Sequence, residues 1–283
     1  MKIRSCACTQ KGYGKKVNQD ALLLKVAVLN KERIAFAVLC DGMGGLDDGE
    51  IASAQGIRTM ERWFYDELPA IMEANSKKTG CGIPIADAVK ESWRKRIMQL
   101  NIQLTGYGRL HDRKLGTTIL AVLLVEQTYL VMHIGDCRLY DTHNGQTEQL
   151  TVDQTYVQKL VESRFLTQKE AEEHSQAHVL LQCVGASQTV IPKFYEGRLE
   201  DKMSFFLCSD GFWKKADMKK VYEMMQRSYR MTEGRMEKKI EQRMGRCRKK
   251  GEIDDISAIM ITVKKNRLFY KFKSITMDKH GEQ

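Results

Sequence analysis

Ile34-Ala35-Phe36-Ala37-Val38-Leu39-Cys40-Asp41-Gly42-Met43-Gly44-Gly45 joins a short apolar run to a carboxylate and then to nearly bare backbone. The run is partly β-branched or aromatic, which predicts a buried strand. It stops on Asp41, and a helical pattern begins near Glu50. A strand that ends on Asp and passes into glycine offers side-chain and main-chain oxygens to one cation, because glycine lacks the Cβ that would crowd them. Asp-Gly also marks ordinary turns. This stretch alone therefore leaves both readings open.

The same pattern recurs along the chain. Asp20 precedes Ala21-Leu22-Leu23-Leu24, and Asp136 follows Tyr129 to Gly135. Asp210-Gly211 follows Phe205 to Ser209, and Asp254-Asp255 precedes Ile256 to Ile261. Strand ends border turns, where Asp is common, so any one position reads as a turn residue. The set reads differently, as carboxylates converging on one rim.

Around these strands the periodicity alternates between two and 3.6. Glu50 to Leu68 carries Ile51, Ala54, Ile57, Met60 and Phe64 at helical spacing, and Ser76 to Gly82 reads as a linker. Pro84 opens a long helix striped by Val89, Trp93, Ile97, Leu100 and Leu104. Strands follow at Thr118–Val125, Tyr129–Ile134 and Arg138–Tyr140, with Asn144-Gly145 as a hairpin turn. A polar helical insert holds a helix over Thr155–Ser163 and a capping box at Thr167-Gln168-Lys169-Glu170. Strands return at Phe194–Leu199, Met203–Cys208 and Ile256–Val263, separated by a helix around Met218–Met225 and a basic helix. Leu268–Phe272 reads as an edge strand or tail. Grouped strands and paired helices indicate an α+β layout with antiparallel sheets, unlike regular βαβ alternation. No glycine loop fits a nucleotide-binding fingerprint.

With 283 residues, 42% of them hydrophobic, the chain can bury a substantial core. Met1 to Cys6 enters a strand-like alternation directly, and no apolar run approaches the ~20 residues of a membrane helix. A soluble, cytoplasmic protein is expected. Cys40, Cys137, Cys183 and Cys208 sit in or beside predicted strands, as buried thiols of a reducing compartment do. Cys6 and Cys8 have no matching second pair for zinc, and His174 and His178 lack the zincin Glu, so both histidines read as polar residues of a mobile region. The net charge of +10 is concentrated in 235–250. Without interleaved aromatic residues this is a solvated helix face or an attractor of acidic, phosphorylated proteins, and nucleic acid is disfavoured.

Clustered Asp oxygens without His or Cys at ligand spacing select hard cations, Mg²⁺ or Mn²⁺. Two such ions ~3.5–4 Å apart activate a shared water and clamp a phosphoryl group. Lys15 or Lys16, just ahead of Asn18-Gln19-Asp20, is placed to hold the incoming phosphate.

In order along nearly the whole chain, six motifs resemble those of the metal-dependent (type 2C) protein serine/threonine phosphatases, especially the bacterial branch. They are Val17-Asn18-Gln19-Asp20, Asp41-Gly42-Met43-Gly44-Gly45 with Gly49 to Ser53, Gly116-Thr117-Thr118, Gly135-Asp136-Cys137-Arg138, Ser209-Asp210-Gly211-Phe212-Trp213 and Asp254-Asp255-Ile256-Ser257. The resemblance implies a four-layer α/β/β/α sandwich of two antiparallel sheets flanked by helix pairs, forming one phosphatase domain over 1–283 with a short tail from about 265. It implies that Asp41 bridges two Mn²⁺ or Mg²⁺ ions, that the Gly42 carbonyl holds one, and that Asp210 and Asp254 hold the other. Asp20 would orient the attacking water, and Asp136 with Asp210 would serve a third, weaker metal. The insert at about 153–185 corresponds to the substrate-selecting flap. The implied reaction is hydrolysis of phosphoserine and phosphothreonine by hydroxide bridging the metals. Its substrates would be phosphoproteins made by a Ser/Thr kinase in cytoplasmic signalling, and the enzyme would act as a monomer.

Three positions depart from the family pattern. Lys15 stands where an Arg is usual and loses the bidentate fork toward phosphate. Met43 stands where many eukaryotic members have His and cannot donate a proton. Lys214 stands where some members have an acidic residue, against the third metal. Of Asp254 and Asp255, neighbours on opposite faces, the motif assigns the metal to Asp254. The rival readings are a pseudophosphatase scaffold that binds phosphoproteins and a small-molecule phosphohydrolase.

Overall fold

The computed structural model describes residues 1–29, 31–43, 48–76 and 84–265. The strands are β1 (Lys2–Gln10), β2 (Asp20–Leu29), β3 (Glu32–Asp41), β4 (Ile119–Val125), β5 (Thr128–Ile134), β6 (Arg138–His143), β7 (Gln146–Gln149), β8 (Lys193–Arg198), β9 (Ser204–Cys208) and β10 (Ile256–Lys264). The helices are α1 (Gly49–Asp66), α2 (Leu68–Ser76), α3 (Ile85–His111), α4 (Tyr156–Glu162), α5 (Gln168–Glu173), α6 (Asp210–Trp213), α7 (Met218–Arg227) and α8 (Glu233–Lys249). The first sheet runs β1-β10-β9-β6-β7 and the second β2-β3-β4-β5-β8, with antiparallel pairing throughout.

The apolar run of β3 is continuous because both its faces are covered. Ala35, Ala37 and Leu39 face the other sheet, where they pack with Leu139, Phe205, Leu207, Ile259 and Ile261. Phe36, Val38 and Cys40 face the α1–α3 layer, with Trp63, Trp93 and Ile97. The first sheet repeats the device, sending Phe206, Cys208 and Met260 outward against Met225, Met236 and Ile240 of α7 and α8. The result is the four-layer sandwich of two antiparallel sheets between helices. Burial of this kind is worth roughly 25 cal/mol per Å² of apolar surface.

Local signals hold where their physics is local. Asn144 (φ 49°) and Gly145 (φ 78°) adopt the left-handed conformations of a tight hairpin turn. The Thr167 hydroxyl accepts from the Glu170 N–H while the Glu170 carboxylate accepts from the Thr167 N–H, completing the capping box. One helix expectation needs correction: the helix of 50–68 ends at Asp66, and α2 begins at Leu68. Pro69 has no N–H for a fourth-residue bond and clashes with the preceding turn, so one continuous helix cannot pass through it. Most of the linker at 76–82, the strand or tail at 268–272 and the C-terminal tail lie outside the described residues. No described helix is long and apolar enough to cross a membrane.

Candidate active site

All the Asp residues singled out above sit at one end of the sandwich. Asp20 and Asp41 face each other across the β2–β3 pair. The Asp41 N–H donates to the Thr118 hydroxyl at 3.0 Å, and its carbonyl accepts from the Thr118 N–H at 2.9 Å. The Gly42 N–H donates to the Gln19 carbonyl at 3.0 Å. A Cβ on Gly42 would lie 2.2 Å from the Gly49 carbonyl oxygen and 2.6 Å from that of Gln19, so only glycine lets the chain turn here. Asp136 follows Gly135, whose φ of 105° suits glycine. Gln154 clamps that turn, accepting from the Gly135 N–H and donating to the His133 carbonyl.

From the other sheet come Asp210, opening α6, and Asp254, just ahead of β10. Gly211 packs α6 against this segment, since a Cβ there would meet the Asp255 carbonyl oxygen at 2.2 Å. The two neighbouring carboxylates separate. Asp254 lines the cleft, whereas Asp255 is buried and accepts from the Gly12 N–H at 2.6 Å and the Gln19 N–H at 2.9 Å.

The cleft holds about 570 Å³ and is lined by Asp41, Asp136, Asp210 and Asp254, with Lys15, Lys214, Met43, Tyr13, His178 and Glu252 among its walls. Asp20 lies buried beside Asp41. Loss of water raises the Asp20 carboxyl to about 7, against the pull of the Ser257 and Ser209 hydroxyls. Asp136 is raised to about 8 by burial first and by the Asp210 and Asp153 charges next. Asp41 is held well above the carboxylate range by desolvation, then by Asp20, Asp210, Asp136 and Asp254. One oxygen each of Asp20 and Asp210 is buried without a hydrogen-bond partner among the described residues. Such orphaned anionic oxygens call for a missing positive partner.

Two lysines already stand inside the rim. Lys15 pairs with Asp254 and, at 2.9 Å, with Asp255. Lys214 pairs with Asp210 at 2.5 Å. Among the described residues no three acidic, His or Cys side chains close around one ion. The donor set is all oxygen, and together with the orphaned atoms it fits a hard divalent cation. Lys16 is exposed, outside the cleft lining, and its carbonyl accepts from Lys11. His178, expected only as a polar residue of the insert, is a wall of the cleft. Neither it nor Tyr13 or Glu252 carried a sequence signal, because each reaches the cleft from a loop or an isolated turn.

Residues 9–252 match the family model described as protein phosphatase 2C. A protein phosphatase 2C-type protein of Streptococcus pyogenes serotype M6 is 32% identical over 184 residues, covering 64% of this chain and 69% of that one. Serine/threonine phosphatase stp of Listeria welshimeri is 26% identical over 185 residues, covering 64% and 68%. Among solved structures, the catalytic domain of serine threonine protein phosphatase PstP in complex with 2 manganese ions matches with a TM-score of 0.69 at 21% identity, covering 93% of this chain and 99% of that one. The family match and these relatives therefore identify a protein serine/threonine phosphatase, an enzyme whose substrates are phosphoproteins. The chain belongs to the protein phosphatase 2C family.

Proposed function

We propose that the chain hydrolyses phosphoserine and phosphothreonine in one in-line displacement at the acidic rim, with two Mn²⁺ or Mg²⁺ ions as cofactors. The observation that carries this is the convergence of Asp20, Asp41, Asp136, Asp210 and Asp254 from both sheets, with buried carboxylate oxygens left unpartnered. The PstP structure with 2 manganese ions supports the choice of metal by analogy of fold. Asp41 and the Gly42 carbonyl would hold one ion, and Asp41, Asp210 and Asp254 the other. When bound, the ions supply Lewis acidity that activates water near neutral pH and offsets charge on the phosphoryl oxygens.

The chain's own groups do the rest. Asp20, raised by burial, accepts a hydrogen bond from the attacking water and orients it. Lys15 turns from Asp254 to the phosphate, which it binds as a point charge. Asp136 with Asp210 would be the weaker third cation position, contested by Lys214. The α4–α5 insert acts as the flap of a single phosphatase domain. We take the enzyme to be a cytoplasmic monomer acting on the products of a Ser/Thr kinase.

Phosphate release from a phosphothreonine peptide, with Mn²⁺, with Mg²⁺ and with chelator, tests this against Asp41→Asn. Metal-dependent release lost in the variant supports it. A second reading, a phosphoprotein-binding scaffold without turnover, draws on the lysines paired with Asp210 and Asp254. Folded protein that binds the peptide but releases no phosphate with either metal would favour that reading.

A further inference from the structure

The basic segment, left unexplained by catalysis, forms a pocket of its own. Between the start of α7 and the last turns of α8 lies a cavity of about 280 Å³ lined by Lys215, Lys220, Arg243, Arg246, Lys249 and Lys250. One carboxylate, Asp217, shares it and pairs with Lys220 at 3.3 Å. Lys215, Arg246 and Lys249 have no carboxylate partner among the described residues. Arg243 donates to the Lys239 and Lys220 carbonyls, yet its Nε is buried with no acceptor among the described residues. Burial first, and the Arg246 charge next, lower the Arg243 pKa against the pull of Asp217 and Glu223.

A helix C-terminus favours cations, which accounts for some of the charge in the last turn of α8. It does not account for Lys215 and Lys220, which belong to the α6–α7 link and to α7, nor for the orphaned guanidinium nitrogen. Arg248, by contrast, has both terminal nitrogens engaged: they donate to the Gln10, Lys11, Glu252 and Asp254 carbonyls. An anion with several oxygens would complete what the others lack, and guanidinium groups match phosphate in geometry as well as charge.

The location identifies the carrier. A second cleft of about 480 Å³, walled by α4 and α5, lies between the basic pocket and the catalytic cleft. Lys214 lines the catalytic and middle clefts, and Lys215 lines the middle cleft and the basic pocket. We propose that this basic pocket binds a second phosphate group of the same phosphoprotein whose scissile phosphate occupies the acidic rim, so that multiply phosphorylated substrates are preferred. The proposal rests on the phosphatase reading above. No aromatic residue lines the pocket to stack a base, which argues against single-stranded nucleic acid as its occupant.

The test compares kcat/KM for singly and doubly phosphorylated peptides, the second phosphoserine placed from ~3 to ~9 residues away at roughly 3.3–3.6 Å of reach per residue. Wild type is set against the double variant Arg246→Gln/Lys249→Gln, with p-nitrophenyl phosphate as a substrate too small to reach the pocket. The expected result is about a tenfold preference for one doubly phosphorylated spacing, carried by KM and lost in the variant, with p-nitrophenyl phosphate turnover unchanged. No preference in wild type, or a preference surviving in the variant, overturns the proposal. If no substrate is turned over, the phosphatase reading fails, and fluorescence anisotropy with the same labelled peptides decides the pocket: selective binding lost in the variant upholds it, equal binding of both peptides sinks it. Single-stranded oligonucleotide binding tighter than the doubly phosphorylated peptide, and lost in the variant, would also overturn it.

Discussion

The two halves of the acidic rim solve the same electrostatic problem in opposite ways. On the β2–β5 side, Asp20, Asp41 and Asp136 have no hydrogen-bonded cation among the described residues, and their carboxyls are raised first by burial and then by neighbouring carboxylates, Asp210 acting on all three. On the β9–β10 side, Asp210, Asp254 and Asp255 are each paired with a lysine. An imported cation therefore gains most in the first half, where the charge is uncompensated. In the second half it must displace an ammonium group that is already there. In the proposed mechanism the first half would be the anchor for metal and the second half the tunable part.

Breaking the anchor should have the largest effect. Asp41→Asn removes the carboxylate shared by the proposed ions, so phosphopeptide turnover should fall about 10³-fold, several kcal/mol of transition-state stabilisation. The same variant should melt higher than wild type in chelator, because a repelling buried charge is gone. Calorimetry without metal beside phosphate-release kinetics reads both effects.

The pH dependence of the metal-free protein sharpens the same contrast. Asp20 and Asp136 have folded-state pKa values raised to about 7 and about 8, above the ordinary 3.8. The folded state therefore holds protons that the unfolded chain releases, and stability is lost as pH rises through 7 and 8. Going from pH 8 to pH 6 should stabilise the chelated protein by about 2–4 kcal/mol. His133 opposes this from about pH 6.5 downward: buried and held down to about 3, it penalises folding once the unfolded chain protonates at its ordinary 6.5, which trims the gain at the pH 6 end. With Mn²⁺ present the slope should flatten, since the cation takes the place of the protons. Denaturant melts across pH, with and without metal, would show an unchanged slope if the first half holds no ion.

Smaller effects belong to the lysine half. Lys15→Met should raise KM for phosphopeptide about tenfold if its ammonium turns to the phosphate. An unchanged KM would confine it to holding Asp254 and Asp255 together. Lys214→Met should be the mildest, tightening Mn²⁺ binding at the Asp136–Asp210 position by roughly 2- to 5-fold as an exposed competing pair is lost. Titration calorimetry with Mn²⁺ would detect it, and identical isotherms would mean Lys214 does not compete.

Much of the architecture was legible in sequence. The strand ending on Asp41, the Asn144-Gly145 turn, the Thr167 cap and the Pro84 helix start all depend on residues within a few positions of one another. The Asp residues of the site were legible for the same reason, each marking the end of an apolar run. Other features were not. β1 pairs with β10 across roughly 250 positions, placing Lys2 opposite Lys264, and nothing in either strand names its partner. That pairing brings Lys15 to Asp254 and Asp255, so the rim's internal neutralisation stayed hidden. His178 reaches the cleft only because the insert folds back over it. The α1–α2 break turned on Pro69, which helical spacing alone overlooked.

Composition and local pattern by themselves determined an α+β chain with carboxylates at strand ends, because side-chain periodicity and turn preference act over one or two turns of chain. Only the tertiary structure decided which carboxylates keep a lysine, which oxygens are left bare, and that the basic residues of α7 and α8 enclose a pocket linked to the rim through one intervening cleft. Charge compensation depends on distances between side chains far apart in sequence, and folding alone sets those distances.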